Sequence, residues 1–159
     1  MNSIMADTYP TFELYQALRD QLMAILSDDD LAYQPGGATP ALGALCRDIG
    51  ETEIAYTQSF QTFELAFTSG SSDPGLGRNV AALTSWYAEL DRDLKAAVAA
   101  LAEDDVAGRM IDRGGDFKLS PQGQLDAYKE ALLIFYGKVD VYLKALNKTL
   151  PDQWRDWIG

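Results

Sequence analysis

Histidine is absent from the 159 residues of this chain. No imidazole can therefore serve as a metal ligand or as a general base near neutral pH. Cysteine occurs once, at Cys46, which excludes an intrachain disulfide and any multi-cysteine metal site. Basic residues are scarce: 13 Lys+Arg stand against 24 Asp+Glu, for a net charge of −11, with no dense basic run. That balance repels a phosphate backbone and an anionic bilayer alike, so neither nucleic acid nor membrane is an expected partner. No run approaches the roughly 18 apolar residues of a membrane span. The opening MNSIMADTYP has no basic stretch followed by an apolar one, so it does not read as a signal peptide, and a cytoplasmic location is expected. A P-loop, a dinucleotide fingerprint, a nucleophile elbow, an EF-hand loop and Glu-x-x-His pairs are also missing.

What is present is a normal apolar content of 47% arranged with helical period. One compact domain over residues 9–159 is expected, preceded by a flexible 1–8. A first helix starts near Pro10 and runs to about Ser27, with Leu14, Leu18, Leu22 and Ile25 inward. A second starts at Thr39-Pro40, a capping residue followed by proline, and its stripe Leu42, Leu45, Ile49, Thr52, Tyr56, Phe60, Phe63, Phe67 predicts helix to Phe67. Thr68 to Asn79 is rich in Gly, Pro and Ser and breaks it. A third runs from about Val80 to Ala102, with Leu83, Tyr87, Leu90, Leu94, Ala97 and Leu101 inward. Met110 to Leu119 carries the marks of a short hairpin around Gly114-Gly115. Ser120-Pro121 opens a fourth helix to about Asn147, with Leu125, Tyr128, Leu132, Phe135, Val139, Tyr142 and Leu146 inward. A short tail helix, Pro151 to Ile158, brings Trp154 and Trp157 onto the bundle. Four long amphipathic helices with polar connections make an all-α four-helix bundle.

Gly36-Gly37, then TPALG and LCRDIGETE, resemble the start of the second helix in DinB/YfiT-like proteins, and ALLIFYGKVDVYLKAL is similar to that superfamily's last-helix segment. Gly137, Val139, Tyr142 and Leu143 match there, while Lys138 and Tyr136 replace a glutamine and an arginine. The resemblance spans about Phe12 to Leu150 and implies up-down-down-up helices with a long crossover after Phe67. It implies homodimers, and a divalent metal held by three histidines in members that act as thiol transferases or hydrolases. Here Asp48, Ala131 and Phe135 stand at the three ligand positions and Glu53 at the motif's acidic one. A single carboxylate does not hold a transition metal, so no metal and no cofactor is expected.

Thr52, Tyr56, Gln124, Tyr128 and Lys138 are expected to line the same pocket, since on the last helix 124, 128, 131, 135 and 138 recur at three- and four-residue spacing. Asp48 reads most simply as a polar residue at the edge of the bundle, or one paired with a base such as Lys138, and alternatively as a pocket carboxylate that orients a ligand or acts as a base. Tyr128 and Phe135 read first as core, and Cys46 as a small buried hydrophobe. The favoured function is a small-molecule-binding or interaction protein, dimeric and without metal chemistry. The alternative is a metal-independent enzyme of the thiol-transferase or hydrolase kind using Asp48 and the pocket tyrosines, and a third possibility is a bundle with no ligand at all.

Overall fold

The structure, a computed structural model, describes residues 1–68 and 72–159. Four long helices dominate: α1 (Tyr9–Ile25), α2 (Leu42–Thr62), α3 (Val80–Ala99) and α5 (Pro121–Ala145). Short elements fill the ends: α4 (Glu103–Gly108), the two-residue strands β1 (Ile111–Asp112) and β2 (Lys118–Leu119), and α6 (Asp152–Trp157).

The direction of each helix follows from which residues meet. Glu13 pairs with Lys95, and Arg19 with both Glu53 and Asp91, so α1 runs against α2 and α3. Gly43 lies against Gly77 and Gly50 against Trp86, so α2 and α3 run side by side in the same direction. Gln124 reaches Ser59 and Tyr142 reaches the Pro40 carbonyl, which sets α5 antiparallel to α2. The order is up-down-down-up, as the resemblance implies. Two parallel neighbours require the chain to return the length of the bundle between them, and residues 63–79 do so; 69–71 of the expected Thr68–Asn79 connection lie outside the described residues.

Close approach of α2 to α3 and to the turn before it depends on glycine. A Cβ on Gly43 would fall inside the Gly77 carbonyl, and one on Gly50 inside the Trp86 ring. The core is one cluster drawn from all four helices, with Leu18, Leu22, Leu83, Leu94, Leu132 and Val139 fully buried.

Several boundaries differ from the sequence expectation. Helix α2 stops at Thr62 rather than Phe67, because Phe63 turns left-handed (φ 62°) and donates its N–H to the Ser59 carbonyl. The Phe63 ring is then fixed under the Arg109 guanidinium at 3.6 Å, and the chain leaves as an extended segment whose Leu65 N–H bonds to the Asp112 carbonyl. Phe67 consequently lies outside the core, 62% exposed. Leu14 is also exposed, because eight residues at about 100° each rotate it about 80° away from Leu22. Thr39 does not cap α2: its hydroxyl closes the Gly36–Gly37 turn onto the Gly36 carbonyl, and the helix begins at Leu42. Residues 1–8 are not a free tail. Asn2 donates to the carbonyls of Val98 and Leu101, Ile4 is buried, and a single π-helical turn (Ile4–Thr8) leads into α1.

Other expectations match. Ser120 caps α5 by accepting from the Gly123 N–H at 3.1 Å. The hairpin forms, pairing Ile111 with Leu119 and Asp112 with Lys118. Trp154 docks α6: it is fully buried, packs edge-on to Tyr136 and donates its indole N–H to Asp140. Trp157 stays half exposed against Tyr15.

Candidate functional site

Where α2 and α5 pass each other, the side chains of Leu45, Asp48, Ile49 and Thr52 face those of Ala131, Ile134, Phe135 and Lys138. They line an open groove of about 240 Å³. Asp48, Ala131 and Phe135, the positions that the resemblance aligns with metal ligands, are therefore brought together, along with Thr52 and Lys138. Phe135 is buried and forms the floor, while Asp48 and Lys138 are exposed on opposite walls.

Burial and the nearby Glu51 raise the Asp48 carboxyl above its usual range, while Arg47 and Lys138 pull it back down. No ion pair joins Asp48 to Lys138 among the described residues; the two charges act across the groove. A second groove of about 230 Å³ adjoins this one, lined by Asp48, Glu51, Thr52, Phe67 and Thr68. Arg47 and Glu51 together grip Ser72, which ties the crossover to α2 beside these grooves.

Tyr56, Gln124 and Tyr128 are not in the groove. The hairpin covers that turn of the bundle: Arg113 donates to Gln124 Oε1 at 2.6 Å and to the Tyr56 hydroxyl at 3.2 Å. Gln124 in turn donates to Ser59, and the Tyr56 and Tyr128 rings pack at 5.1 Å with both residues buried. Helical spacing puts these residues on the groove's face; only the tertiary position of Arg113 shows that they are roofed.

Behind the groove lies a polar cluster that sequence reasoning did not identify. Arg19 is fully buried and donates to Glu53 Oε2 at 2.6 Å and to Asp91 Oδ1 at 2.7 Å. Its guanidinium stacks 4.0 Å over the Tyr87 ring. Gln16 also donates to Asp91. Burial, then the negative charge of Glu53, push Asp91 up to about 7 against the opposing pull of Arg19. Burial likewise drives the Tyr87 and Tyr128 hydroxyls far above their usual range, so both stay protonated. Of this set only Glu53 was visible, as the acidic position of a motif. The available signal was Arg19 standing between Leu18 and Leu22 on an inward face. Cys46 is buried with its thiol pushed up to about 12, which makes it inert.

The divalent metal implied by the resemblance does not fit here. Its three positions offer one carboxylate, a methyl group and a phenyl ring, and the ring occupies the floor where ligands would converge. Among the described residues no three His, Cys, Asp or Glu side chains are grouped to share an ion. A cavity of about 420 Å³ at the N-terminal end of α2 is lined by Asp28, Leu31, Ala41, Ala44, Arg47 and Arg78, among others. Its carboxylate is engaged, since Asp28 accepts from the Val80 N–H at the start of α3.

No protein-family model and no curated protein matches the chain. The fold is similar to that of a crystal structure of a DinB-like protein (YjoA) from Bacillus subtilis, with a TM-score of 0.71 over 94% of this chain and 96% of that one, at 17% identity. At that identity the likeness is one of architecture, and together with the up-down-down-up helix order it gives this chain the DinB-like all-α bundle fold.

Proposed function

We propose that the α2–α5 groove binds a small zwitterionic molecule with an apolar side chain, of the size and charge pattern of a hydrophobic amino acid. The observation that carries this reading is the facing pair Asp48 and Lys138 over an apolar floor of Leu45, Ile49, Ala131 and Phe135. A ligand ammonium would sit on the carboxylate, a ligand carboxylate on the lysine, and the side chain on Phe135. At about 240 Å³ the groove suits a molecule below drug size. The same reading takes the protein as a cytoplasmic homodimer. No helix among the described residues is long and apolar enough to cross a membrane.

The enzymatic alternative needs Asp48 to work with Tyr56 and Tyr128. Both rings lie under Arg113 or in the core, and the Tyr128 hydroxyl is held protonated, which favours binding over catalysis. Amide NMR titration with leucine and with phenylalanine tests the proposal. Shifts confined to 45–52 and 131–138 are expected at millimolar ligand, lost in Asp48→Asn and in Lys138→Met and lost with N-acetylated or amidated ligand. Equal shifts with blocked and free amino acids, or none, would refute it.

A further inference from the structure

Helix α5 turns a second face to solvent, formed by Glu130, Ile134, Gly137, Lys138, Val141 and Lys144. Ile134 and Val141 are each 60% exposed, two β-branched side chains one heptad apart. Between them lies Gly137, deep inside a 25-residue helix. Glycine is the poorest helix former after proline, and nothing inside the molecule calls for it here. A Cβ at Gly137 would meet no atom within 4 Å, and its backbone is ordinary helix, outside the left-handed region. The two glycines of α2 show what mid-helix glycine does in this chain: Gly43 and Gly50 each admit a neighbour that a Cβ would exclude.

We infer that this face of α5 packs antiparallel against the same face of a second copy, with Gly137 at the two-fold axis. The inference rests on the homodimer reading above and names its interface. Charge selects both the partner and the direction. Glu130 forms no ion pair among the described residues. Lys144, seven residues beyond Gly137, pairs with Asp140 at 2.8 Å within its own chain and keeps 56% of its side chain exposed, so its ammonium can accept a second carboxylate partner. At 1.5 Å per residue each lies about 10 Å from Gly137, so an antiparallel pair sets Glu130 level with the partner's Lys144, twice over. A parallel pair would set Glu130 against the partner's Glu130. The antiparallel arrangement also brings Ile134 level with the turn that carries the partner's Val141, and it closes on itself as an isologous contact. Missing side-chain bulk at Gly137 lets the two helix axes approach at the close end of the usual 8–10 Å range. Ile134 also lines the α2–α5 groove, so the second copy would border that site.

Two measurements on the full chain test this. Sedimentation equilibrium of the wild type should give twice the 17.5 kDa chain mass, and Val141→Glu should give the single mass while its circular dichroism stays unchanged. Gly137→Cys should form an intermolecular disulfide in high yield under mild oxidation, because the two new thiols meet at the axis and Cys46 is buried. A wild type that stays monomeric across micromolar concentrations overturns the dimer and this interface together. A wild-type dimer that Val141→Glu leaves intact and that Gly137→Cys does not cross-link overturns the interface alone.

Discussion

Arg19 is the residue on which the interior depends most. Its guanidinium is the only cation in a cluster with two carboxylates, so its removal leaves buried negative charge without a partner. Arg19→Met should lower unfolding stability by about 3–5 kcal/mol, and Glu53→Gln by about 3 kcal/mol, in urea denaturation. Asp91 contributes a pH dependence. Its carboxyl is pushed from 3.8 to about 7 on folding, so between those values the folded state holds a proton that the unfolded state has lost. Its stabilising contribution is full below 3.8 and is lost as pH rises through about 7. Wild type should lose about 2 kcal/mol relative to Asp91→Asn between about pH 5 and about pH 8, as read from urea midpoints. A pH-independent difference would show that Asp91 is ionised throughout. Their pairing was not legible in the chain, because Arg19, Glu53 and Asp91 come from three helices and no local pattern announces a partner 34 or 72 residues away. The groove was more legible: Asp48, Ala131, Phe135 and Lys138 are set by helical spacing on two elements, and spacing is what a sequence displays.

At the scale of elements, periodicity located every long helix and failed at their ends. Phe63 and Phe67 continue the three- and four-residue rhythm of α2, so the stripe alone extends the helix by a turn. The left-handed Phe63 stops it, and that conformation is held by tertiary contacts with Arg109 and Asp112. The N-terminal residues escaped for a similar reason, since Asn2 is ordered by carbonyls at the far end of α3. Between elements, α2 meets the turn that leads into α3 at Gly43, against Gly77. Gly43→Ala places a methyl group inside a backbone carbonyl that cannot rotate away, and should destabilise by about 1–3 kcal/mol despite alanine's better helix propensity. Thermal or urea unfolding showing a gain in stability would mean that Gly43 and Gly77 are not in contact.

For the whole molecule, the deciding quantity is charge. At −11, long-range repulsion opposes any duplex before a groove is reached. Fluorescence anisotropy with duplex DNA at physiological salt should show no micromolar binding, and such binding would require a basic surface that this chain does not have. The order of helices along the chain carries one more consequence. Arg19 and Glu53 belong to the first two long helices of the chain and balance each other's charge. The crossover then delivers Asp91 to a pair that is already balanced. With its carboxyl raised to about 7 on folding, Asp91 is protonated in part when it joins near neutral pH, and that proton comes from the solvent. Docking of α3 is thus a proton-uptake step, and the buffer in which the chain folds is one of its reactants.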